Sequence, residues 1–445
     1  MSLFNNIYEA GVVGAGGAGF PTHIKYKSPA KHLIINAAEC EPLLFTDQYE
    51  MINYPDEIID GIILGKEQLQ AKEVTIVIKA KFKECIEKLE EAIEKRNADI
   101  KIKKVKTYYP AGDEHSAIFE ATGEPLGPGK LPIEMGLVVS NVTTMRNIHE
   151  SNQGNPVTRK VVTLSGAIKN PTIIDVPIGI TVQECIDIAG GTVLDDYYIL
   201  LGGPMMGKMI TKEEAKERVI TKTIGGILIF EPTHVLVTKR LQPIERIRNH
   251  AASACIHCTF CTELCPRYLK GHPIHPHEVM TAFAQNDPTH KLLKQADLCC
   301  SCGICEMYSC PMGLSPRTVM TFVKGQNREH LNYKEDWQSE GLRDVERFRK
   351  LPTARLNMKL GITDYAKRHY GDFVKEEVNV ARVSIPLSQH IGKPAEPKVA
   401  VGDRVEAGDL IAGVSLDDMG ANIHSSISGV VKSITDNIII EGGTL

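Results

Sequence analysis

The sequence lacks any apolar run approaching the ~20 residues that cross a bilayer, so no direct membrane span is expected. Its start, MSLFNNIYEAG, lacks a basic segment followed by an apolar one. No secretory signal is therefore expected, and the reading is cytoplasmic. An excess of either charge is also missing: 51 Lys and Arg face 55 Asp and Glu, a net of −4. That balance removes the electrostatic case for nucleic acid or anionic lipid as a partner. Low-complexity tracts and solenoid repeats are absent. What is present is ordinary globular composition, 42% hydrophobic and 24% charged, in 445 residues. That length suits about three domains.

The pattern along the chain points to a multidomain α/β and α+β protein. Residues 1–150 alternate strand and helix: HLIINAAE and VTIVIKA read as strands, KFKECIEKLEEAIEKR as a helix, and IKIKKVK as a strand. Residues 156–230 are β-rich, with one short helix in TVQECIDIAG and a glycine turn after YYILL. Residues 240–330 are mainly helical and carry most of the cysteines. Residues 331–380 are charged and read as a helical connector. From residue 383 to 445, short strands and turns at Gly402-Asp403 and Gly408-Asp409 predict a small β-barrel or sandwich.

Twelve cysteines in a reducing compartment point to metal rather than disulfides. Eight fall into two runs: Cys255, Cys258, Cys261 and Cys265 before Pro266, and Cys299, Cys302, Cys305 and Cys310 before Pro311. In two-cluster ferredoxins the last cysteine of each run serves the other cluster. The spacing predicts one [4Fe–4S] cluster on Cys255, Cys258, Cys261 and Cys310. A second falls on Cys299, Cys302, Cys305 and Cys265. Structural zinc usually uses paired C-x2-C knuckles instead. Each proline is expected to break its helix. Cys300 falls out of register and reads as a non-ligand. Cys40, Cys85 and Cys185 read as free thiols, and His272, His275 and His277 as a turn leading into a helix.

Gly14, Gly16, Gly17 and Gly19 make a loop that lets backbone amides approach a phosphate. No strand clearly precedes it, so it is not a Rossmann fingerprint. Asn36, Glu39 and Glu41 crowd the end of an apolar strand, where open α/β sheets bind ligands. Lys25 lies between the two in sequence and is a candidate phosphate contact. The alternative is a solvated loop.

These residues resemble a known family. GAGGAGFPTHIKY with NAAECEP is similar to the flavin site of the NADH-binding flavoprotein subunit of respiratory complex I. Tyr109-Pro-Ala-Gly-Asp113-Glu114 and Asn141-Val-Thr-Thr144 also fit. Nearly the whole chain resembles two relatives: the C subunit of the Rnf electron-transport complex and the cobalamin reductases of propanediol-utilisation microcompartments. The barrel-like module comes last here, as in the reductases.

The resemblance implies an FMN/NADH-binding α/β domain (1–150) and a soluble-ligand-binding β-grasp (SLBB) module (156–230). A ferredoxin-like dicluster domain (240–330), the connector and a barrel-sandwich domain (383–445) follow. It implies FMN on Gly14, Gly16, Gly17, Lys25, Asn36, Glu39 and Asn141. Phe20 would stack on the nicotinamide of NADH, with Glu41, Asp113 and Glu114 nearby, and Gly19, Tyr109 and Thr144 belong to the same cofactor-binding set. Ala15 and Ala38 stand where the complex I motif has arginine and aspartate. The last module is lipoyl-like, but DDMGANIHSS has no lysine to lipoylate. Its expected role is contact with another protein.

No side chain is expected to act as a general acid or nucleophile. Implied partners are NADH, a corrinoid or corrinoid enzyme such as an adenosyltransferase, another redox protein, and a microcompartment shell. The rival expectation is a Rnf-type subunit linking NADH and ferredoxin through other chains.

Overall fold

The computed structural model describes residues 2–330, 336–367 and 378–442. Parts of the expected connector, 331–335 and 368–377, lie outside the described residues.

The first sheet has four parallel strands, in the order Lys101–Val105, Glu73–Lys79, His32–Ala37, Leu137–Asn141. Its central strands are apolar throughout because helices cover both faces. Leu33, Ile35 and Ala37 pack into one core, with Ile76, Ile78 and helices Pro55–Leu69 and Val142–Asn152. Ile34 and Val77 point the other way, onto Ala117 and Ile118 of helix Glu114–Thr122. Helices Pro55–Leu69 and Val142–Asn152 touch closely: a methyl on Gly61 would fall on the Met145 carbonyl.

The second sheet is mixed, in the order Thr172–Pro177, Arg159–Gly166, Gly226–Phe230, Tyr198–Leu201, Lys208–Thr211. Helix Val182–Ile188 adds Val182, Cys185 and Ile186 to its core. Thr181 and Glu184 form a capping box at its start. The cysteine region is helical, with Ile247, Val279, Phe283, Leu293 and Val319 in a separate core.

The chain then returns to the first domain. Leu351–Pro352 pairs antiparallel with Tyr108–Tyr109, and helix Thr353–Leu360 follows. Two small sheets close the C-terminal barrel around Val383, Ile385, Ile411, Val431 and Ile440.

Gly61→Ala is expected to destabilise the chain by about 1–3 kcal/mol through overpacking, despite alanine's better helix propensity. Gly325, in helix Pro316–His330, meets nothing within 4 Å. Gly325→Ala is expected to be neutral or to stabilise by up to ~1 kcal/mol. Urea unfolding of the two variants checks the contrast.

Candidate flavin and iron–sulfur sites

The central strand His32–Ala37 has Glu73–Lys79 on one side and Leu137–Asn141 on the other. The chain leaves it first to one side, then returns to the other. This is the switch point where open parallel sheets bind ligands. The residues predicted from the strand-end and glycine motifs converge there.

Asn36 Nδ2 donates to the Gly112 carbonyl (2.8 Å), and its Oδ1 accepts from Ala38 N–H. Asn141 Oδ1 caps the following helix through Thr143 N–H, and its Nδ2 donates to Asp47 (2.8 Å). The glycine loop is closed by Gly14 N–H to the Phe20 carbonyl and Gly19 N–H to the Gly14 carbonyl. Ala15 N–H donates to Thr144 Oγ1 (3.0 Å), which ties the loop to the start of helix Val142–Asn152.

At the loop's apex, Gly16 and Gly17 are exposed, and Gly17 (φ 107°) has nothing within 4 Å of where a Cβ would sit. Open space over backbone amides, beside a strand end, fits a bound phosphate-bearing group. Lys25 donates to Glu114 (3.2 Å) and to the Val139 carbonyl, and lies 5.6 Å from the Phe20 ring centre.

The acids at this edge are half-buried. Glu39 accepts from Thr46, from the Asp47 amide (2.9 Å) and from Gln48 (2.8 Å), while Lys79 bonds its carbonyl. Burial raises the Glu39 pKa, and the Gln48 and Asp47 hydrogen bonds oppose that rise. Burial, then the Glu39 charge, pushes Asp47 up to about 7.

Glu41 and Asp113 have their carboxylates taken up inside the chain. Glu41 accepts from the amides of Met205 (2.9 Å) and Met206 (3.0 Å), in the glycine turn of the second sheet. Burial pushes it up to about 7 against the pull of those amides. Asp113 caps helix Glu114–Thr122 and forms a two-bond pair with Arg267 (2.6 and 2.8 Å), two residues beyond Cys265. The Tyr109 hydroxyl donates to the carbonyl of Cys302 (2.7 Å).

The eight motif cysteines gather into two groups. Cys255, Cys258, Cys261 and Cys310 line one cavity together with His277, Met280 and Leu314. Burial pushes the Cys261 thiol up to about 12, and Cys310, Cys258 and Cys255 add to that. The same electrostatic proximity links Cys265 with Cys299, and Cys305 with both. Each group thus draws one cysteine from the other run.

The two loops follow one backbone path. His257 (φ 51°) and Thr259 (φ 62°) match Ser301 (φ 57°) and Gly303 (φ 78°). In the second loop Ser301 N–H points at Cys299 Sγ (3.3 Å). Cys300 is partly buried beside Cys302 and Arg267 in the second group. Among the described residues, no three His, Cys, Asp or Glu side chains are set to hold a metal ion. Four thiols in each group are the donor set that a [4Fe–4S] cluster takes. Pro266 opens helix Pro266–Leu269 as well as ending the previous one, since proline suits the first helical turn.

His272 bonds the Leu126 carbonyl, His277 bonds Thr262, and His275 precedes helix Pro276–Ala284. Cys85 and Cys185 are buried thiols and Cys40 is partly buried. Asp47, Lys79, Lys160, Arg240 and Arg267 were not singled out by sequence. Their partners lie far away along the chain, and no local spacing marks them.

Four family descriptions match in order: Nuo51 FMN-binding domain (7–150), SLBB domain (161–208), 4Fe-4S dicluster domain (254–315) and RnfC Barrel sandwich hybrid domain (358–445). Cobalamin reductase PduS of Salmonella typhimurium is 37% identical over 97% of this chain and 94% of its own length. The chain belongs to the cobalamin reductase PduS family.

The Citrobacter freundii PduS protein agrees, at 36% over 99% of this chain and 96% of its own. The C subunit of the Na(+)-translocating ferredoxin:NAD(+) oxidoreductase complex of Acetobacterium woodii is 33% identical over 59% of this chain and 57% of its own. In fold, the chain resembles a solved NAD+-reducing [NiFe]-hydrogenase (TM-score 0.51, 21% identity). The match covers 75% of this chain and 63% of that one. The protein is an oxidoreductase, an electron-transfer flavoprotein with FMN-binding and iron–sulfur domains. The family and the four-part fold class expected from sequence both hold. Among the described residues no helix is long and apolar enough to cross a membrane.

Asp113→Asn is expected to cost about 3–5 kcal/mol by stranding the buried Arg267 charge. Burial alone would raise the Asp113 pKa, but Arg267 outweighs it and holds the carboxyl at about 2. The pair's stabilisation is therefore present above pH ~4 and lost as pH falls through about 2. Unfolding midpoints measured between pH 7 and 2 should show this dependence in the native chain and not in the variant.

Proposed function

We propose that this chain is an NADH-dependent reductase of a corrinoid, with FMN and two [4Fe–4S] clusters as resident groups. When bound, the flavin supplies the step from a two-electron hydride to single electrons, which one-electron clusters require. The chain's own residues bind and orient. Gly14, Gly16, Gly17, Gly19, Lys25, Asn36, Glu39, Asn141 and Thr144 hold FMN. Phe20 and Glu114 face the nicotinamide side. Glu41 and Asp113 act near the NADH by fixing the strand end through bonds within the chain.

One observation carries this reading: the Tyr109 hydroxyl, at the flavin domain's strand end, bonds the backbone of Cys302 at 2.7 Å. Met205, which donates its amide to Glu41, shares a core with Cys302 and Tyr109. The group of Cys265, Cys299, Cys302 and Cys305 is therefore the near one. The group of Cys255, Cys258, Cys261 and Cys310 is the far one. Ile256 beside it is 60% exposed and Phe260 48%, so electrons leave there. The corrinoid acceptor rests on the cobalamin reductase relatives.

Anaerobic purification should give one FMN and about eight irons per chain, four for each cluster. NADH should bleach the cluster absorbance and support cob(III)alamin reduction. Cys258→Ala should keep an NADH-reducible near cluster and lose cob(III)alamin reduction. Cys302→Ala should leave the far cluster oxidised. NADH oxidation with ferredoxin reduction, but no cob(III)alamin reduction, would replace the corrinoid reading with the Rnf-type one.

A further inference from the structure

The C-terminal barrel does not stand apart from the flavin loop. Ile391 N–H, from the barrel, donates to the Gly19 carbonyl at 3.0 Å. Gly19 has φ 67°, and a methyl there would lie 2.9 Å from Thr223 and 3.4 Å from His390 Cα. Gly11, where the glycine-rich run begins, packs so closely on the barrel's Asn422 that a methyl would overlap its carbonyl. Tyr8, one turn earlier, donates its hydroxyl to the Val414 carbonyl at 2.5 Å.

Lys222 sits at the centre of this junction, contributed by the residues that lead into the strand Gly226–Phe230. It is buried, and its Nζ donates to the carbonyls of Gly11 (2.7 Å) and Asn422 (2.8 Å). Its backbone N–H donates to Gln389 (3.1 Å), again in the barrel. Burial pushes its pKa down to about 7. Burying an amine is costly unless its donors are used, and here they join three modules at one point. The loop needs such fixing, because a Cβ at its exposed apex, Gly17, would meet nothing within 4 Å. Lys160 holds the same leg nearer the apex, through the Ala15 carbonyl (3.1 Å).

We propose that the barrel is a built-in clamp on the flavin loop, and that Lys222 is its positioning residue. By fixing Gly11 against Asn422, while Ile391 fixes Gly19, the clamp sets the direction in which the apex amides point. This gives the barrel an intramolecular role, and it rests on the assignment of FMN to this loop.

The test uses the full-length chain, titrated with FMN and followed by flavin fluorescence and visible absorption. Lys222→Met should raise the FMN Kd about tenfold, the size of losing one well-placed buried hydrogen bond, and shift the bound flavin's absorption. Tyr8→Phe, at the same junction but off the loop, should weaken binding by a smaller factor and serves if Lys222→Met does not fold. Val431→Ala, in the barrel core, should lower Tm and leave FMN affinity within about twofold, since cavity effects stay local to the core. Native affinity in both junction variants, or an equal loss in Val431→Ala, overturns the clamp. If the native chain binds no FMN, the flavin assignment fails instead. Hydrogen exchange at residues 14–19 then decides the clamp: faster exchange in Lys222→Met supports it, and unchanged exchange overturns it.

Discussion

The Glu41 carboxylate is half-buried at the end of the central strand, where two consecutive amides of the Met205–Met206 turn take it up. A carboxylate in that position must be satisfied or it destabilises the fold. The acceptors it offers dictate where the second sheet's turn sits. Gly203 has no room for a side chain because Glu41 occupies that space. Once the turn is fixed, Met205 and Tyr109 meet the backbone around Cys302. One acid thus sets the distance between the end of the central strand and the cysteine group beside Tyr109.

The same logic recurs with cations. Lys79, Lys160 and Lys222 each carry a buried amine to a backbone carbonyl, at Glu39, Ala15 and Gly11. Arg240 does so at Pro204 and Met205. These are not surface salt bridges, which contribute little. They are local ties, each between segments apart in sequence, and they converge on the glycine loop, the strand end and the turn beside Cys302. Asp113 and Arg267 are the exception, a full ion pair. There the Arg267 charge lies near Cys300 and Cys302 as well as its carboxylate partner.

Features set by short-range spacing were legible in the sequence. The two cysteine runs need only eleven and twelve consecutive residues to declare themselves, and the apolar strands declare their parallel sheet. Even so, acids at a strand end read as ligand-facing, whereas Glu41 and Asp113 spend their carboxylates on Met205, Met206 and Arg267. Nothing in the spacing of Lys222 reveals that it lies between Gly11 and Asn422, 211 and 200 residues away. Long-range polar ties carry no periodicity, so a barrel that reads as a separate module turns out to be seated on the glycine loop.

The cysteine groups differ in burial in a way that bears on electron flow. Cys265, Cys302 and Cys305 are no more than 9% exposed, while Cys255, Cys258 and Cys310 are partly exposed. The buried group sits behind Tyr109 and Met205, and the exposed one opens beside Ile256 and Phe260. Solvent exposure, charge and hydrogen bonds to sulfur set the potential of a cluster. Two loops with one backbone path therefore give two different environments. Because Cys265 and Cys310 cross between the runs, each run contributes thiols to both environments. The crossing ties the two groups together, with the buried one behind Tyr109 and the exposed one facing outward.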